Sequence, residues 1–449
     1  FFLRSKICIM FFRRSRISIM LSTRSFSTAT DTLVVGGGVV GCSTALHLAQ
    51  ARQGDGAGIV VVEADPTYKY NSAMLSAGGI RTQFSLPENV RMCQYSLDFL
   101  RALQTEADQG GNIPNIQFQE KGYLFLASTA QGAQTLVSNH TLQVAEGVRE
   151  TDMLSSQQLQ NRFPWLNTAD VLAASHSYGG AGWFDPWALL RAMKMKATEM
   201  GVTFVHGSLS SAVRSPITKR LERVQVQLGG NKGAVSYSPK FVVNAAGAKA
   251  SAVQDQLVGG DPAVLGLPVR PRKRCIFFFK CSVPVGTDLD SCPEVAPLTV
   301  DPSGVYFRSE GAGGAQTFLA GVSPKQEDDV DCWDPLDLEN ADHTLWEEVI
   351  WPALFNRVQA FGELKVTSSW AGLYDYNTCD QNGIVGFHPD VPNLLCVTGF
   401  SGHGLQQSPA AGRAGSELIE YGEFHTLDLS RFGVERLSSK DFVFETGIV

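Results

Sequence analysis

The sequence of 449 residues has little of what metal sites, disulfide frameworks and membrane spans require. Its nine cysteines are odd in number and include no C-x-x-C pair, and its eight histidines show no ligand spacing. We therefore expect neither a bound metal nor a disulfide framework. No apolar run reaches membrane-spanning length, so no transmembrane segment is expected. A formal net charge of −7 argues against a nucleic-acid partner.

Acidic residues are also missing from the start of the chain, where the first is Asp31. Basic residues occur there among Ser, Thr and large apolar residues, which is the composition of a mitochondrial transit peptide. We predict that residues 1–30 are such a peptide and that the protein acts in the matrix or at the matrix face of the inner membrane. Arg24 to Ser27 resembles a cleavage site after Phe26. The alternative is a disordered basic arm.

What the sequence does contain is a glycine-rich turn between a strand-like run and a helix-like run. Leu33 to Val35 are apolar, and the six residues that follow read G-x-G-x-x-G. Gly36 permits a tight turn, Gly38 lets a pyrophosphate approach the backbone, and Gly41 lets the helix pack on the strand. The helix N-terminus then faces the phosphates, so the pattern predicts a dinucleotide site.

A second strand-like run, Ile59 to Val62, ends in Glu63. An acid at this spacing accepts hydrogen bonds from the adenosine ribose hydroxyls and disfavours a ribose phosphate. Strand, glycines, helix, strand and acid together indicate a dinucleotide but leave FAD and NAD both open.

Three later segments favour a flavin. Small residues lie next to Arg81 in Ser76 to Gln83, which suits a backbone that passes close to a flat ring. Phe241 to Gly247 reads as a buried strand that ends in small residues. Gly399 to Gln406 leads into a helix and offers backbone amides to an anion.

This ordered set resembles the D-amino-acid-oxidase family of FAD enzymes, which includes sarcosine oxidase, dimethylglycine dehydrogenase and glycine oxidase, over residues 31 to about 420. The resemblance implies FAD as the cofactor. It assigns the ADP half to Gly36, Gly38, Gly41 and Glu63, the flavin to Ala77, Gly78, Gly79 and Arg81, and the pyrimidine end of the flavin to Gly402, His403, Gly404, Leu405 and Gln406. Ala246 and Gly247 are further predicted cofactor-binding residues.

Other segments resemble a mitochondrial member of this family that is associated with assembly of respiratory complex I. They are Gln83 to Asn89, Gly182 to Trp187, Tyr374 to Thr378 and Gly404 to Gln407. That resemblance implies complex I subunits or assembly intermediates as partners. Two functions from different classes therefore remain open: a flavoenzyme that oxidises a small secondary amine, and an assembly factor that uses a flavin fold for protein interaction.

The chain departs from the family at several positions. Gln406 replaces a lysine that binds the substrate carboxylate in sarcosine oxidase, and Phe84 replaces a second arginine. Ser76 and Gly372 occupy the positions of covalent flavin attachment, so the FAD is expected to be non-covalent. The catalytic candidates are Arg81, His403 and Tyr374. Their alternatives are pairing of Arg81 with flavin or a carboxylate, a cofactor hydrogen bond from His403, and a core position for Tyr374.

The expected architecture is mixed α/β. A Rossmann-like FAD-binding domain is predicted from three discontinuous segments, and a mainly antiparallel sheet is predicted for the substrate or interaction domain. The FAD domain is assigned to residues 31–110, 180–262 and 370–425, the second domain to 111–179 and 263–369, and a C-terminal tail to 426–449. Arg270 to Arg274 is read as a solvated lead into a strand, and Glu327 to Asp331 as a solvated loop.

Overall fold

The computed structural model describes residues 27–311 and 315–446. Residues 1–26 of the predicted transit peptide lie outside this range, and residues 27–30 begin the first strand. The mixed α/β fold class is confirmed. In chain order the strands are β1 (Ser27–Val35), β2 (Ile59–Glu63), β3 (Gly79–Ile80), β4 (Tyr123–Ala127), β5 (Thr151–Ser155), β6 (Ala173–Ser177), β7 (Gly182–Trp183), β8 (Thr203–Arg214), β9 (Leu221–Leu228), β10 (Ala234–Asn244), β11 (Val269–Cys281), β12 (Leu298–Val300), β13 (Tyr306–Glu310), β14 (Thr317–Gly321), β15 (Leu364–Asn377), β16 (Ile384–His388) and β17 (Val391–Thr398).

The helices surround two large sheets. They are α1 (Val39–Ala51), α2 (Pro87–Asp108), α3 (Ala130–Ala145), α4 (Ser156–Arg162), α5 (Pro186–Glu199), α6 (Ala250–Val258), α7 (His343–Leu345), α8 (Trp351–Arg357), α9 (Gly404–Glu420) and α10 (Glu435–Ser439), with a π-helical stretch, Trp346–Ile350, joining α7 to α8. None of the helices in the described ranges is long and apolar enough to cross a membrane.

The first sheet has a parallel centre in which β2, β1, β10 and β17 lie side by side. The strands β8, β9 and β16 extend it. Leu33 and Val35 pack with α6 on one face, whereas Val34 packs with α1, α5 and α9 on the other. Continuous apolar runs form these strands because both faces of the sheet are buried. This is the predicted Rossmann-like domain.

The second sheet has the strand order β15-β11-β14-β13-β12-β4-β6-β5, and its strand pairs are antiparallel except for β12 with β4. The mainly antiparallel character is therefore confirmed. The helical stretch from α7 to α8 covers one face of the sheet, where Phe277 and Phe279 on β11 contact the ring of Trp346 at centroid distances of 5.0 and 5.8 Å. Those rings form the centre of a separate core.

A short ladder between β3 and β7 lies where the two sheets meet, and it pairs Gly79 with Trp183. The predicted boundary at residue 370 falls inside β15, which belongs to the second sheet throughout its length. Within the predicted C-terminal tail, Phe432 and Val434 are fully buried against the first sheet. This part of the predicted tail is thus packed into the domain that contains the glycine-rich turn.

Candidate functional site

The glycine-rich turn lies between the end of β1 and the start of α1. Gly36 has a φ of +106°, and a Cβ atom there would lie 2.4 Å from the carbonyl oxygen of Ala245. A Cβ atom on Gly41 would lie 1.9 Å from the carbonyl oxygen of Gly36. Both positions therefore require glycine, Gly36 for its backbone conformation and Gly41 for close packing of helix on strand. Gly38 precedes the first residue of α1, as a phosphate-binding turn requires.

Glu63 is held at the end of β2 by two backbone amides. Its carboxylate oxygens accept hydrogen bonds from the amides of Gly37 and Asp65, each at 2.8 Å. The hydroxyl of Tyr68 lies beside Gly37, is buried, and has no hydrogen-bond partner among the described residues. A buried hydroxyl without a partner fits a site that receives a polar ligand. These residues fit the ADP half of a dinucleotide, and Tyr68 is a residue of this site that no motif in the sequence indicated.

Ala246 and Gly247 follow β10 and lie behind the glycine-rich turn. A Cβ atom on Gly36 would lie 3.0 Å from the Cα atom of Ala246, and the carbonyl oxygen of Gly247 accepts a hydrogen bond from Thr398 at 3.2 Å. The ends of three neighbouring strands therefore converge here. Ligands bind at this carboxyl edge in open sheets of this type.

A pocket lies between the two sheets, and it brings together nine of the residues predicted for the flavin or for catalysis. These are Ala77, Gly78, Gly79, Arg81, Tyr374, Gly402, His403, Leu405 and Gln406. The second sheet supplies further lining residues that sequence reasoning missed, namely Tyr123, Arg274, Ile276, Leu298, Tyr306 and Leu373. Gly404 begins α9 directly behind this wall.

The loop before β3 is fixed from several directions. The Nε atom of Arg308 donates to the carbonyl oxygen of Ala77 at 2.9 Å, and a Cβ atom on Gly78 would lie 2.6 Å from the carbonyl oxygen of Phe184. The backbone amide of Arg81 donates to Oε1 of Gln406 at 3.0 Å. The loop and the start of α9 therefore form one wall, in which the carboxamide oxygen of Gln406 is already used.

Arg81 and His403 contact each other within this wall. Nη2 of Arg81 lies 3.4 Å from Nε2 of His403, while Nη1 donates to the carbonyl oxygen of Gln83. Burial and the neighbouring Arg81 charge lower the pKa of His403 to about 3. A neutral imidazole of such low basicity is a poor proton acceptor, so the site supports a hydrogen-bonding role for His403 over acid–base work.

Tyr374 packs face-on against the loop that precedes α9. A Cβ atom on Gly402, whose φ is +88°, would lie 2.4 Å from the Tyr374 ring. The Cζ atom of Arg274 lies 4.7 Å from the centre of the same ring. Burial raises the pKa of Tyr374, which keeps the phenol neutral. Tyr374 is thus a pocket wall and not solely a core residue.

The prediction that Arg270 to Arg274 is wholly solvated was wrong at its last residue. The Arg274 side chain is only 8% exposed, and it forms a two-pronged ion pair with Asp329, whose side chain is 10% exposed. Asp329 belongs to the acidic stretch predicted to be a solvated loop, so that prediction was also wrong at this residue. Their separation in the chain hid the pairing from sequence reasoning.

The two positions matched to covalent flavin attachment hold no reactive group directed at the pocket. The hydroxyl of Ser76 donates to the carbonyl oxygen of Ala73 at 2.7 Å. Gly372 has no side chain, and a Cβ atom there would lie 2.8 Å from Leu75. Dissociable FAD remains the prediction. The described residues also contain no cluster of three or more His, Cys, Asp or Glu side chains that could hold a metal ion.

Comparison with known proteins gives the same picture. Residues 31–418 match the family model described as FAD dependent oxidoreductase. The chain is 45% identical over 437 residues to the FAD-dependent oxidoreductase domain-containing protein 1 of Xenopus laevis, which covers 93% of this chain and 85% of that protein. It is 24% identical to the monomeric sarcosine oxidase of Bacillus sp. (strain B-0618), over 94% of this chain and 100% of that protein.

Among solved structures, the L-proline dehydrogenase from P. horikoshii superposes with a TM-score of 0.75 at 23% identity, covering 93% of this chain and 100% of that chain. This likeness shows a shared overall fold. The chain belongs to the DAO family of FAD-dependent oxidoreductases, and its cofactor is FAD.

Proposed function

We propose that the chain is a mitochondrial FAD-dependent oxidoreductase that oxidises a small secondary amine such as an N-methylated amino acid. The observation that supports this function best is the set of charged residues in the pocket wall. Among the described lining residues the cationic side chains are Arg81 and Arg274, no carboxylate lines the pocket, and Asp329, which pairs with Arg274, is not a lining residue. The mitochondrial location rests on the composition of residues 1–30.

A pocket of this charge favours the form of an amine that can be oxidised. Nearby positive charges lower the pKa of a bound amine, because they disfavour the ammonium form. The neutral amine can release a hydride from its adjacent carbon, and FAD supplies the hydride acceptor when it is bound. The chain's own residues orient the substrate between the tyrosine rings of the second sheet and the wall that contains Arg81 and His403.

Similarity to known amine-oxidising proteins supports the substrate class. The chain is 27% identical over 219 residues to human mitochondrial dimethylglycine dehydrogenase, and the sarcosine oxidase named above aligns over its whole length. Both relatives are named for N-methylated derivatives of glycine.

The test is the visible spectrum of the purified chain that begins at Ser27, followed anaerobically while N-methylated amino acids are added. We expect a flavin spectrum that bleaches with one of these compounds. A flavin that bleaches with a chemical reductant but with no amine would exclude this substrate class. Extraction of the flavin with acid would also test the predicted non-covalent attachment.

We further propose a role in assembly of respiratory complex I, with complex I subunits or assembly intermediates as partners. The resemblance of Gln83 to Asn89 and of Gly182 to Trp187 to a mitochondrial assembly protein supports this role. A second support is the surface at the end of the acidic stretch and just after it, where Val330, Trp333 and Leu336 are 71%, 50% and 64% exposed. Exposed apolar side chains grouped on a surface indicate a protein interaction site.

Two variants separate the roles in cells that lack the endogenous protein. Gly38→Val should abolish flavin binding, because a side chain there blocks the approach of the pyrophosphate. Trp333→Ser with Leu336→Ser should keep the flavin but weaken partner binding. If assembly requires only the surface, the first variant restores complex I and the second does not. If loss of the protein leaves complex I unchanged, or if the wild type does not restore it, the assembly role is wrong.

A further inference from the structure

Arg274 lines the pocket from the side of the second sheet. It lies on β11, its side chain is 8% exposed, and its guanidinium group stacks on the ring of Tyr374 at 4.7 Å. Since Tyr374 in turn packs against Gly402, Arg274 is joined through one ring to the loop that begins α9. A ligand held by Arg274 would therefore lie near the loop that contains Gly402 and His403.

The hydrogen bonds of Arg274 leave one edge of its guanidinium group, the edge formed by Nε and Nη2, without a partner among the described residues. Nη1 donates to Oδ1 of Asp329 at 2.7 Å and to the carbonyl oxygen of Lys273 at 2.8 Å, and Nη2 donates to Oδ2 of Asp329 at 2.9 Å. Asp329 thus takes the end-on edge formed by the two terminal nitrogens. Nε is buried and has no partner among the described residues.

The remaining edge of Arg274 has the geometry of a carboxylate site. The Nε–H bond and the second N–H bond of Nη2 lie parallel on the same side of the planar group, so they can donate side-on to the two oxygens of one carboxylate. A buried donor without a partner destabilises the protein, and a bound carboxylate would supply that partner. Asp329 holds the plane of the guanidinium group in position for such binding.

Arg81 is the other cation of the pocket, but its guanidinium group is engaged within the protein. It donates to the carbonyl oxygen of Gln83, contacts His403, and lies 4.0 Å from the centre of the Phe84 ring. The residue at the family's lysine position, Gln406, is neutral. Among the residues that line the pocket, Arg274 is therefore the cation whose Nε–H group can still donate a hydrogen bond to a ligand.

We propose that Arg274 is the specificity-determining residue of this site, that it binds the carboxylate of the substrate side-on, and that Asp329 is its positioning residue. The proposal rests on the proposed amine-oxidising function and adds to it that the substrate has a carboxylate. It also explains how the pocket would bind an amino acid although the family's lysine is replaced.

Binding is best tested without turnover. The FAD-loaded chain is titrated with methoxyacetate, which has the shape of N-methylglycine but no amine, and with its uncharged amide, methoxyacetamide. The dissociation constants are read from the shift of the oxidised flavin spectrum. We expect the wild type to prefer the carboxylate and Arg274→Gln to bind it at least about 30-fold more weakly, with little change for the amide.

Three further variants make the test specific. Arg274→Lys keeps the charge but lacks the planar fork, so we expect binding about tenfold weaker than in the wild type. Arg274→Gln with Asp329→Asn replaces the ion pair by neutral side chains of similar shape, in case Asp329 without its partner unfolds the chain. Arg272→Gln is the matched control, because Arg272 lies on the same strand, pairs with Asp331 at 3.2 Å, and does not line the pocket.

The inference is overturned if methoxyacetate leaves the wild-type spectrum unchanged, or if Arg274→Gln binds it as tightly as the wild type does. Equal losses in Arg274→Gln and Arg272→Gln would also overturn it. The amine-oxidising function is judged separately by whether an N-methylated amino acid bleaches the wild-type flavin. Carboxylate binding that depends on Arg274, without such bleaching, would support the inference and contradict the proposed function.

Discussion

Nη2 of Arg81 lies 3.4 Å from Nε2 of His403, so a permanent positive charge faces a buried imidazole across a single contact. The histidine is 8% exposed and precedes α9. A protonated ring here would face the guanidinium with a like charge, in surroundings that already disfavour ions. His403 is therefore held neutral beside Arg81, and this makes the stability of the protein depend on pH.

Acid should destabilise the protein in part through His403. The pKa of His403 is about 3 in the folded state, and its ordinary value is 6.5. Between these pH values the histidine binds a proton in the unfolded chain but stays neutral in the folded chain. The contribution of His403 to stability is therefore fully present above about pH 6.5 and is lost as the pH falls toward about 3. Between pH 7.5 and 4.5, we expect the free energy of unfolding of His403→Asn to fall by about 2–3 kcal/mol less than that of the wild type.

The measurement is urea unfolding of the FAD-loaded chain at the two pH values. Burial lowers the pKa values of His47 and His176 to about 4. These two histidines contribute equally to the acid sensitivity of the wild type and of the variant, so their effects cancel in the comparison. His425→Asn, at an exposed position, is the control. Equal acid sensitivity of wild type and His403→Asn would show that His403 is not held neutral.

Gly41→Ala should expel the cofactor. A methyl group there would lie 1.9 Å from the carbonyl oxygen of Gly36, so α1 must move away from β1 and its N-terminus must leave the phosphate position. We expect FAD affinity to fall at least about tenfold, measured as flavin absorbance per protein after dialysis. Gly266→Ala, where a methyl group meets no atom within 4 Å, should retain full flavin.

Glu63→Gln should weaken FAD binding and leave the fold intact. The carboxylate accepts from the amides of Gly37 and Asp65, and a carboxamide can accept only through its oxygen. We expect the dissociation constant of FAD to rise about tenfold, measured by titrating the stripped protein with FAD. Glu222→Gln is an exposed control on β9. An unchanged dissociation constant would show that the Glu63 carboxylate does not contribute to FAD binding.

Glu445→Ala should destabilise the protein although it lies far from the glycine-rich turn. The Glu445 carboxylate is 7% exposed and accepts from the amide of Ser85 at 2.7 Å and from Asn89 at 2.9 Å, next to the N-terminus of α2. Removing it leaves buried donors without a partner, which costs about 1–3 kcal/mol. Thermal unfolding should show this loss, and Glu423→Ala, whose side chain is 78% exposed, should not.

The parts of the site that sequence reasoning predicted are those built from adjacent residues. Gly36 to Gly41 follows a strand and starts a helix, so its backbone geometry is determined by local sequence. The loop before Arg81 and the start of α9 are also continuous segments, and the pocket brings both together. Glycine patterns were informative because a side chain at these positions would collide with nearby backbone atoms.

The parts that were missed depend on partners distant in the chain. Arg274 looked solvated because nothing near it in sequence reveals Asp329, and Tyr68 follows no motif that indicates a ligand. Glu445 looked like part of a tail because its contact with Ser85 joins residues that are 360 positions apart in the sequence. A pattern of residue types cannot show such pairings, since they are set by how the two sheets and the chain end pack.

The order of strands in the first sheet also sets when the cofactor site can be completed. Leu33 pairs with Val242 on β10, and Val243 pairs with Leu395 on β17, so distant segments must meet before the centre of the sheet exists. Pairing over such separations slows folding. The glycine-rich turn between β1 and α1 is synthesised long before Gly402 to Gln406, because most of both sheets lies between them in the chain. The pocket therefore cannot hold the flavin firmly until the segment that contains Gly402 to Gln406 has left the ribosome and packed against the loop before β3.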